Sequence, residues 1–169
     1  MRAVAVCALL AFVAWTSGCS SSNAPNAQND ASGVWQAALS GGDGTASGFS
    51  FVTQFAVGTN GALSVTNFQF LNNNQGACFP VTGATPSGTF MLSINSADQL
   101  TDSTFSFTVT ANGNTLTLTS TSVTGTATGS VISGGTVLGT WVLQGTSTGC
   151  TAASGSFTMT QSSTTSSST

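Results

Sequence analysis

The sequence predicts an all-β protein, and three features of the chain lead to that prediction. Apolar and polar residues alternate in several segments, as where Phe105, Phe107 and Val109 enclose Ser106 and Thr108. This period of two is expected of a strand with one buried face. Turn signals separate such segments about every 8–12 residues, and no segment after residue 18 has the spacing of an amphipathic helix.

The alternating pattern predicts nine strands and two local features. Asn112-Gly113-Asn114 predicts a tight turn between two strands. The apolar residues before Thr66 and after Asn67 lie on opposite phases, which predicts a bulge near those two residues. The predicted strands cover residues 33–40, 47–57, 62–71, 89–95, 103–111, 115–123, 126–133, 136–145 and 155–161.

Two segments of the chain are similar in sequence, and this similarity bears on how the sheet closes into a barrel. Residues 33–54 and 139–161 both begin with Gly-x-Trp, at Trp35 and Trp141, and both end in a Phe-bearing strand followed by Thr-Gln. A true repeat would make the first and last hairpins equivalent, as in a meander that curls until its ends pair. Chance similarity in a biased composition is the other interpretation. The sequence predicts a single antiparallel β-barrel, closed or nearly closed, of about eight to ten strands, with a β-sandwich as the alternative.

The N-terminal segment has the features of an export signal. Arg2 precedes an apolar run of thirteen residues, 3–15, which is too short to span a bilayer because a span needs roughly 20. A run of about 7–15 apolar residues followed by small residues is typical of a signal peptide. The small residues here are Thr16, Ser17 and Gly18, directly before Cys19.

Small residues directly before a cysteine make this segment resemble a bacterial lipoprotein signal. The resemblance implies cleavage before Cys19 and acylation of Cys19 by palmitate-type chains, although Thr16 stands where such signals usually have Leu. Ser20 after the cysteine, in place of Asp, implies the outer membrane where a cell has one. The alternative is an ordinary secretory signal that leaves Cys19 as a thiol.

These boundaries predict four segments. Residues 1–18 form the signal peptide, residues 19–32 a flexible lipid-anchored linker, residues 33–161 the β domain, and residues 162–169 a tail of Ser and Thr.

Gly33-Val34-Trp35 also resembles the Gly-x-Trp that opens the first strand of lipocalins. In that family the Trp closes the barrel base beneath an Arg from the last strand, and this chain has no such Arg. The resemblance covers three residues and implies a barrel more than a function.

Charge excludes several kinds of partner. Arg2 is the only basic residue, so the predicted mature chain has no Lys, Arg or His, and its acidic residues are Asp30, Asp43, Asp98 and Asp102. Nucleic-acid binding depends on Lys and Arg at the phosphates, so no nucleic-acid partner is expected. Phosphate-bearing cofactors lack partners for the same reason, and no cofactor is predicted.

The four cysteines divide by position. Cys7 lies in the signal and Cys19 at the lipid site, which leaves Cys78 and Cys150. Two thiols in an exported domain predict one disulfide. It would close a loop of about 73 residues and stabilise the fold by about 4 kcal/mol in the chain-entropy model.

Three candidate sites remain. Ser147 lies in a Gly-x-Ser-x-Gly match over residues 145–149, but that nucleophile motif requires a His, which the chain lacks. Asp98 and Asp102 predict a polar loop, with a weak Ca²⁺ site or carboxylate catalysis as alternatives. Trp35 and Trp141 could close the barrel ends or line an apolar pocket.

No enzymatic role is expected, since general acid–base catalysis usually needs His, Glu, Lys or Tyr and the predicted mature chain has none. The sequence predicts a membrane-anchored envelope lipoprotein that binds a polymer, a sugar or a protein, or has a structural role. One alternative is a lipocalin-like carrier of an apolar ligand. Another is self-assembly through the uncharged segments 104–110 and 115–121.

Overall fold

The structure is a computed structural model that describes residues 31–41, 49–72, 78–79, 83–128 and 131–162. The described strands all pair antiparallel in one sheet with the order β3-β2-β1-β8-β7-β6-β5-β4. The prediction of an all-β barrel is confirmed. The eight strands are β1 (Gly33–Gly41), β2 (Phe49–Val57), β3 (Leu63–Asn72), β4 (Thr85–Met91), β5 (Thr104–Ala111), β6 (Asn114–Thr128), β7 (Val131–Gln144) and β8 (Ala153–Gln161).

The first and last strands pair with each other, as a curled meander requires. Their register runs from Trp35 opposite Gln161 to Gly41 opposite Gly155. The sheet edges are therefore β3 and β4, in the middle of the chain. These edges meet where the Phe90 N–H donates to the Gly61 carbonyl (2.7 Å), so the barrel is nearly closed, with its seam between β3 and β4.

The two strands at the seam carry features that discourage pairing with another chain. Backbone N–H groups alternate along a strand, so Pro86 has its nitrogen on the same side of β4 as the seam-facing N–H of Phe90. On the other side of the seam, β3 has irregular register at Thr66 and Leu71. A proline and bulges are common protections of exposed strand edges.

The predicted bulge in β3 is confirmed. Gln54 pairs with Asn67 and Phe55 with Val65, which leaves Thr66 without a partner in the register. The Thr66 Oγ1 donates to the Gln54 carbonyl (3.2 Å). The extra residue explains why apolar positions on opposite phases of the sequence can all turn toward the barrel interior.

The predicted tight turn is also confirmed. Asn112 and Gly113 have φ values of 51° and 77°, and Ala111 pairs with Asn114 across them. Two central residues with positive φ are typical of a type I′ hairpin, in which Asn-Gly is a preferred pair.

The prediction of a separate strand over residues 126–133 is wrong. One long hairpin spans this region, since β6 continues to Thr128 and β7 begins at Val131. Gly125 has a φ of 157° next to a register shift, so it lies at a bulge inside β6 and not in a turn. Gly135 also lies inside a strand, β7. A glycine is needed there because a Cβ would be 2.5 Å from the Trp35 ring. The strand predicted over residues 89–95 instead spans Thr85–Met91.

The two Gly-x-Trp hairpins are not equivalent, so the repeat interpretation is wrong. Thr53 in the first segment corresponds to Thr160 in the second. Trp35 pairs with Thr53, whereas Trp141 pairs with Gly155. The sequence similarity is therefore not carried into the register.

Aromatic rings fill the barrel interior from facing walls. Phe51 of β2 stacks on Phe107 of β5, with ring centroids 5.7 Å apart. Phe105 of β5 lies 6.4 Å from Phe157 of β8. The strands in each pair are not neighbours in the sheet, so these contacts cross the lumen. Ring pairs at such distances add about 0.5–1.5 kcal/mol each beyond their burial.

The alternating strands give the barrel two distinct ends. β1 runs from the end that holds Trp35, here called the Trp35 end, to the end that holds the Cys78–Cys150 disulfide, here called the disulfide end. Because the number of strands is even, β8 returns to the Trp35 end. There the Ser162 N–H donates to the Val34 carbonyl (2.8 Å), so residue 31 and residue 162 leave the barrel on the same side.

The disulfide predicted from the sequence is present and joins residues 72 apart in the sequence. We expect Cys78→Ser to lower the free energy of unfolding by about 4 kcal/mol, because the unfolded chain loses its cross-link. The measurement is urea unfolding of the exported domain in a Cys19→Ala background. Cys150 should become alkylatable in this variant, and two reactive thiols in the folded parent protein would contradict the assignment.

Candidate binding surface at the disulfide end

A buried asparagine organises the loops of the disulfide end. Asn114 begins β6 directly after the Asn112-Gly113 turn, and its side chain is fully buried. Its Oδ1 accepts hydrogen bonds from the backbone N–H groups of Thr146 (2.8 Å) and Ser147 (3.1 Å). Its Nδ2 donates to the Cys78 carbonyl (2.9 Å) and to the Ser147 Oγ (2.7 Å). The amide thus uses both donors and both acceptor positions.

These bonds give Ser147, in the Gly-x-Ser-x-Gly match, a structural role in this loop. Ser147 is half-buried, and its hydroxyl accepts from Asn114 within a loop that links β7 to β8. The loop is tightened further where the Cys150 N–H donates to the Ser147 carbonyl (3.0 Å). The nucleophile motif requires a strand–turn–helix setting and a histidine base. This loop lies between two strands, and the chain contains no histidine.

The disulfide fixes a second segment against the same loop. Cys78 is fully buried, and its bond to Cys150 connects the β3–β4 region to the β7–β8 loop. Phe79, the next residue, is also fully buried and packs on Phe70 of β3 with centroids 5.3 Å apart. The same two segments are therefore joined covalently by the disulfide and through hydrogen bonds by Asn114.

The described loops of this end expose polar, uncharged side chains, and Leu71 and Val142 are exposed on the adjoining strands. Asn112, Thr146, Thr148 and Thr151 are exposed. The disulfide and Asn114 hold the loops that carry Thr146 and Thr148. They can donate and accept hydrogen bonds but cannot form ion pairs.

The two aspartates lie at the opposite end. Asp98 and Asp102 are exposed, with φ values of 57° and 51°. Their loop is held against β6, where the Ala127 N–H donates to the Asp98 carbonyl (2.7 Å). Among the residues described, no group of three or more His, Cys, Asp or Glu side chains could hold a metal ion. Both residues lie in the segment that links β4 to β5.

Both tryptophans are buried, toward different ends of the barrel. Trp35 donates from Nε1 to the Ala31 carbonyl (2.8 Å) and meets Phe90 of β4 with centroids 5.7 Å apart. Trp141 donates from Nε1 to the Ser40 carbonyl (2.9 Å) near the disulfide end. Each indole therefore has its polar atom satisfied by backbone and its ring packed in the core.

Sequence reasoning missed Asn114 and Phe79. Asn114 was read only as part of a turn signal, because nothing local indicates that its amide reaches residues 78 and 146–147. Phe79 lies outside any alternating segment. The one available signal was its position next to a predicted disulfide cysteine.

Some predicted features lie outside the described residues. These are Cys19, the signal peptide, the linker up to residue 30 and the tail from residue 163. Ala31 and Ser32, at the end of the predicted linker, belong to the folded part. Ala31 is fully buried, and the Ser32 Oγ accepts from the Val57 N–H (3.0 Å).

Comparison with known proteins gave no significant match, whether with family models, curated proteins or solved structures. The described residues include no helix of the length and apolarity needed to cross a membrane.

We expect Asn114→Ala to destabilise the domain by about 2 kcal/mol, because it removes the partners of two backbone N–H groups and one carbonyl. Thr148→Ala, in the same loop but exposed, is the matched control and should change stability by less than about 0.5 kcal/mol. Urea unfolding measures both. Equal midpoints for the two variants would show that Asn114 does not organise this end.

Proposed function

We propose that this chain is a lipoprotein of the bacterial cell envelope, anchored through Cys19, whose barrel has a non-catalytic binding or structural role. The observation that carries the proposal is the Cys78–Cys150 disulfide, since such bonds form and persist in oxidising compartments outside the cytoplasm. Export agrees with the apolar segment of residues 3–15, and the small residues before Cys19 favour lipidation over simple secretion.

The anchor is strong enough to hold the protein at a membrane. Each buried CH₂ of an acyl chain contributes roughly 0.8 kcal/mol, and stable attachment needs two or more chains. The lipoprotein resemblance supplies a diacylglyceryl group on the Cys19 sulfur and a further acyl chain on its amine. Ser20 at the next position favours the outer membrane.

A binding role of the outer surface is favoured over catalysis by the available chemistry. In the part of the chain that the structure describes, Asp98 and Asp102 are the only charged side chains, and both are exposed. Cys78 and Cys150 are bonded to each other. The ordered polar loops of the disulfide end suit a polymer, a sugar or a protein that binds through hydrogen bonds.

The carrier alternative requires an internal cavity for the ligand, and the aromatic contacts across the barrel interior argue against one. An apolar ligand would occupy roughly 300 Å³ or more between the walls. At the level of Phe51 and Phe107, however, rings from facing walls are already in contact.

The self-assembly alternative requires strands that are free to pair. Segments 104–110 and 115–121 lie in β5 and β6, and each strand has a partner on both sides. They could pair with other chains only after the barrel opens.

The anchor is tested by Cys19→Ala, with Cys7→Ala as the matched control within the same N-terminal segment. We expect Cys19→Ala to move the protein from the membrane pellet to the soluble exported fraction, because the thioether can no longer form. Cys7→Ala should remain with the membrane. Mass spectrometry of the N-terminus should show acyl chains on the parent protein, and a Cys19→Ala protein that stays in the pellet would refute the anchor.

Native mass spectrometry of the exported Cys19→Ala protein separates a packed barrel from a carrier. We expect the mass of the polypeptide alone, since the interior is filled by aromatic side chains. A co-purifying apolar molecule that is released on unfolding would contradict this expectation and favour the carrier.

A further inference from the structure

The folded domain meets the preceding chain at one defined place. Ala31 is fully buried, and its carbonyl accepts from the Trp35 Nε1 (2.8 Å). Gln161 donates from Nε2 to the Ser32 carbonyl (3.3 Å), so the last strand holds the same segment. The chain toward Cys19 therefore leaves from the Trp35 end.

We infer that the anchored barrel faces the bilayer with its Trp35 end and turns its disulfide end away from the bilayer. This inference rests on the proposed attachment at Cys19. It assigns opposite roles to the two ends, since the loops ordered by Asn114 lie on the side away from the attachment.

The length of the linker limits how far the barrel can turn over. From Cys19 to Ala31 there are 12 residue steps (31 minus 19), which reach at most about 40 Å when fully extended. A nine-residue strand such as β1 is about 30 Å long. Because strands in a barrel tilt by about 35–45° to the axis, β1 spans roughly 23 Å of the barrel's height. To bring the disulfide end to the bilayer, the linker would have to span this height along the barrel wall. That distance exceeds the roughly 20 Å that a flexible chain of this length covers on average, so the turned-over arrangement costs conformational entropy.

The negative charge at the Trp35 end affects the distance between the barrel and the bilayer. It does not change which end of the barrel lies nearer to the bilayer. Asp98 and Asp102 are exposed there, and an anionic lipid surface repels each by about 1 kcal/mol. That repulsion decays over a Debye length of about 8 Å at physiological salt. A small water-filled gap between barrel and bilayer removes this repulsion, whereas turning the barrel over would stretch the linker along the barrel wall.

The absence of lysine from the mature chain makes a clean test available. A single introduced lysine is the only side-chain amine, so an amine-reactive donor dye reports one position. Ser96→Lys places it at the Trp35 end and Thr148→Lys at the disulfide end, and both positions are exposed. The lysine-free parent protein gives the background from the N-terminal amine.

The experiment uses chains that begin at Cys19, coupled through the Cys19 thiol to a maleimide phospholipid in phosphatidylcholine vesicles. Cys78 and Cys150 are bonded to each other, so only Cys19 reacts. Energy transfer to an acceptor lipid should be at least twofold more efficient from Ser96→Lys than from Thr148→Lys, and detergent should abolish the difference.

Equal or reversed transfer efficiencies would overturn the orientation. Because the anchor is attached chemically, this result does not depend on natural acylation. Failure of the proposed lipidation would appear separately, as an unmodified N-terminus in the mass spectrum of the protein isolated from cells. Vesicles containing phosphatidylglycerol should lower the transfer from both positions without changing their order.

Discussion

The contact of aromatic rings across the lumen is the constraint on which the rest of this barrel depends. The folded part has no cation to form an ion pair, since the chain contains no basic residue beyond Arg2. The interactions that specify this fold are therefore side-chain packing, backbone hydrogen bonds and one disulfide. The Phe51–Phe107 stack connects β2 to β5 through the interior, and the Phe105–Phe157 contact connects β5 to β8. These contacts keep the two halves of the meander together although β3 and β4 share only a short contact at the seam.

The sequence was sufficient to predict those parts of the fold that depend on which strand face is buried. The alternation of apolar and polar residues in a strand indicates which of its faces is buried. A change in the phase of that alternation, such as that at Thr66, has few structural explanations, of which a bulge is one. The Asn112-Gly113 turn was predictable because its positive φ values need those residue types. The strand predicted over residues 126–133 was wrong because a bulge at Gly125 and the glycine at 135 lie inside long strands, and only the tertiary structure shows that Gly135 makes room for Trp35.

The disulfide end could be predicted only in part for a related reason. The pairing of Cys78 with Cys150 followed from elimination among four cysteines. Asn114 has no comparable signal, because its four hydrogen bonds reach segments more than thirty residues away. A buried amide that serves several loops is identified by its surroundings, and no local pattern encodes those surroundings.

Hydroxyl groups replace charge on the outer wall of the barrel. The register aligns one row across six neighbouring strands, formed by Thr89, Ser106, Thr119, Thr140, Ser156 and Ser40. In this row the Ser40 and Ser156 hydroxyls lie 3.2 Å apart. The row follows the curvature of the barrel and places uncharged hydrogen-bonding groups along its outer wall.

The use of hydroxyl groups in place of charged groups also affects how a partner would associate with the barrel. Long-range steering requires a charged surface, and the only charged side chains that the structure describes, Asp98 and Asp102, lie at the Trp35 end. In the described loops of the disulfide end no side chain is charged, so these loops add no long-range steering to an encounter. Recognition there would depend on the fit of preordered hydrogen-bonding loops, which is why the buried Asn114 and the disulfide beneath them matter more to the proposed role than any exposed residue alone.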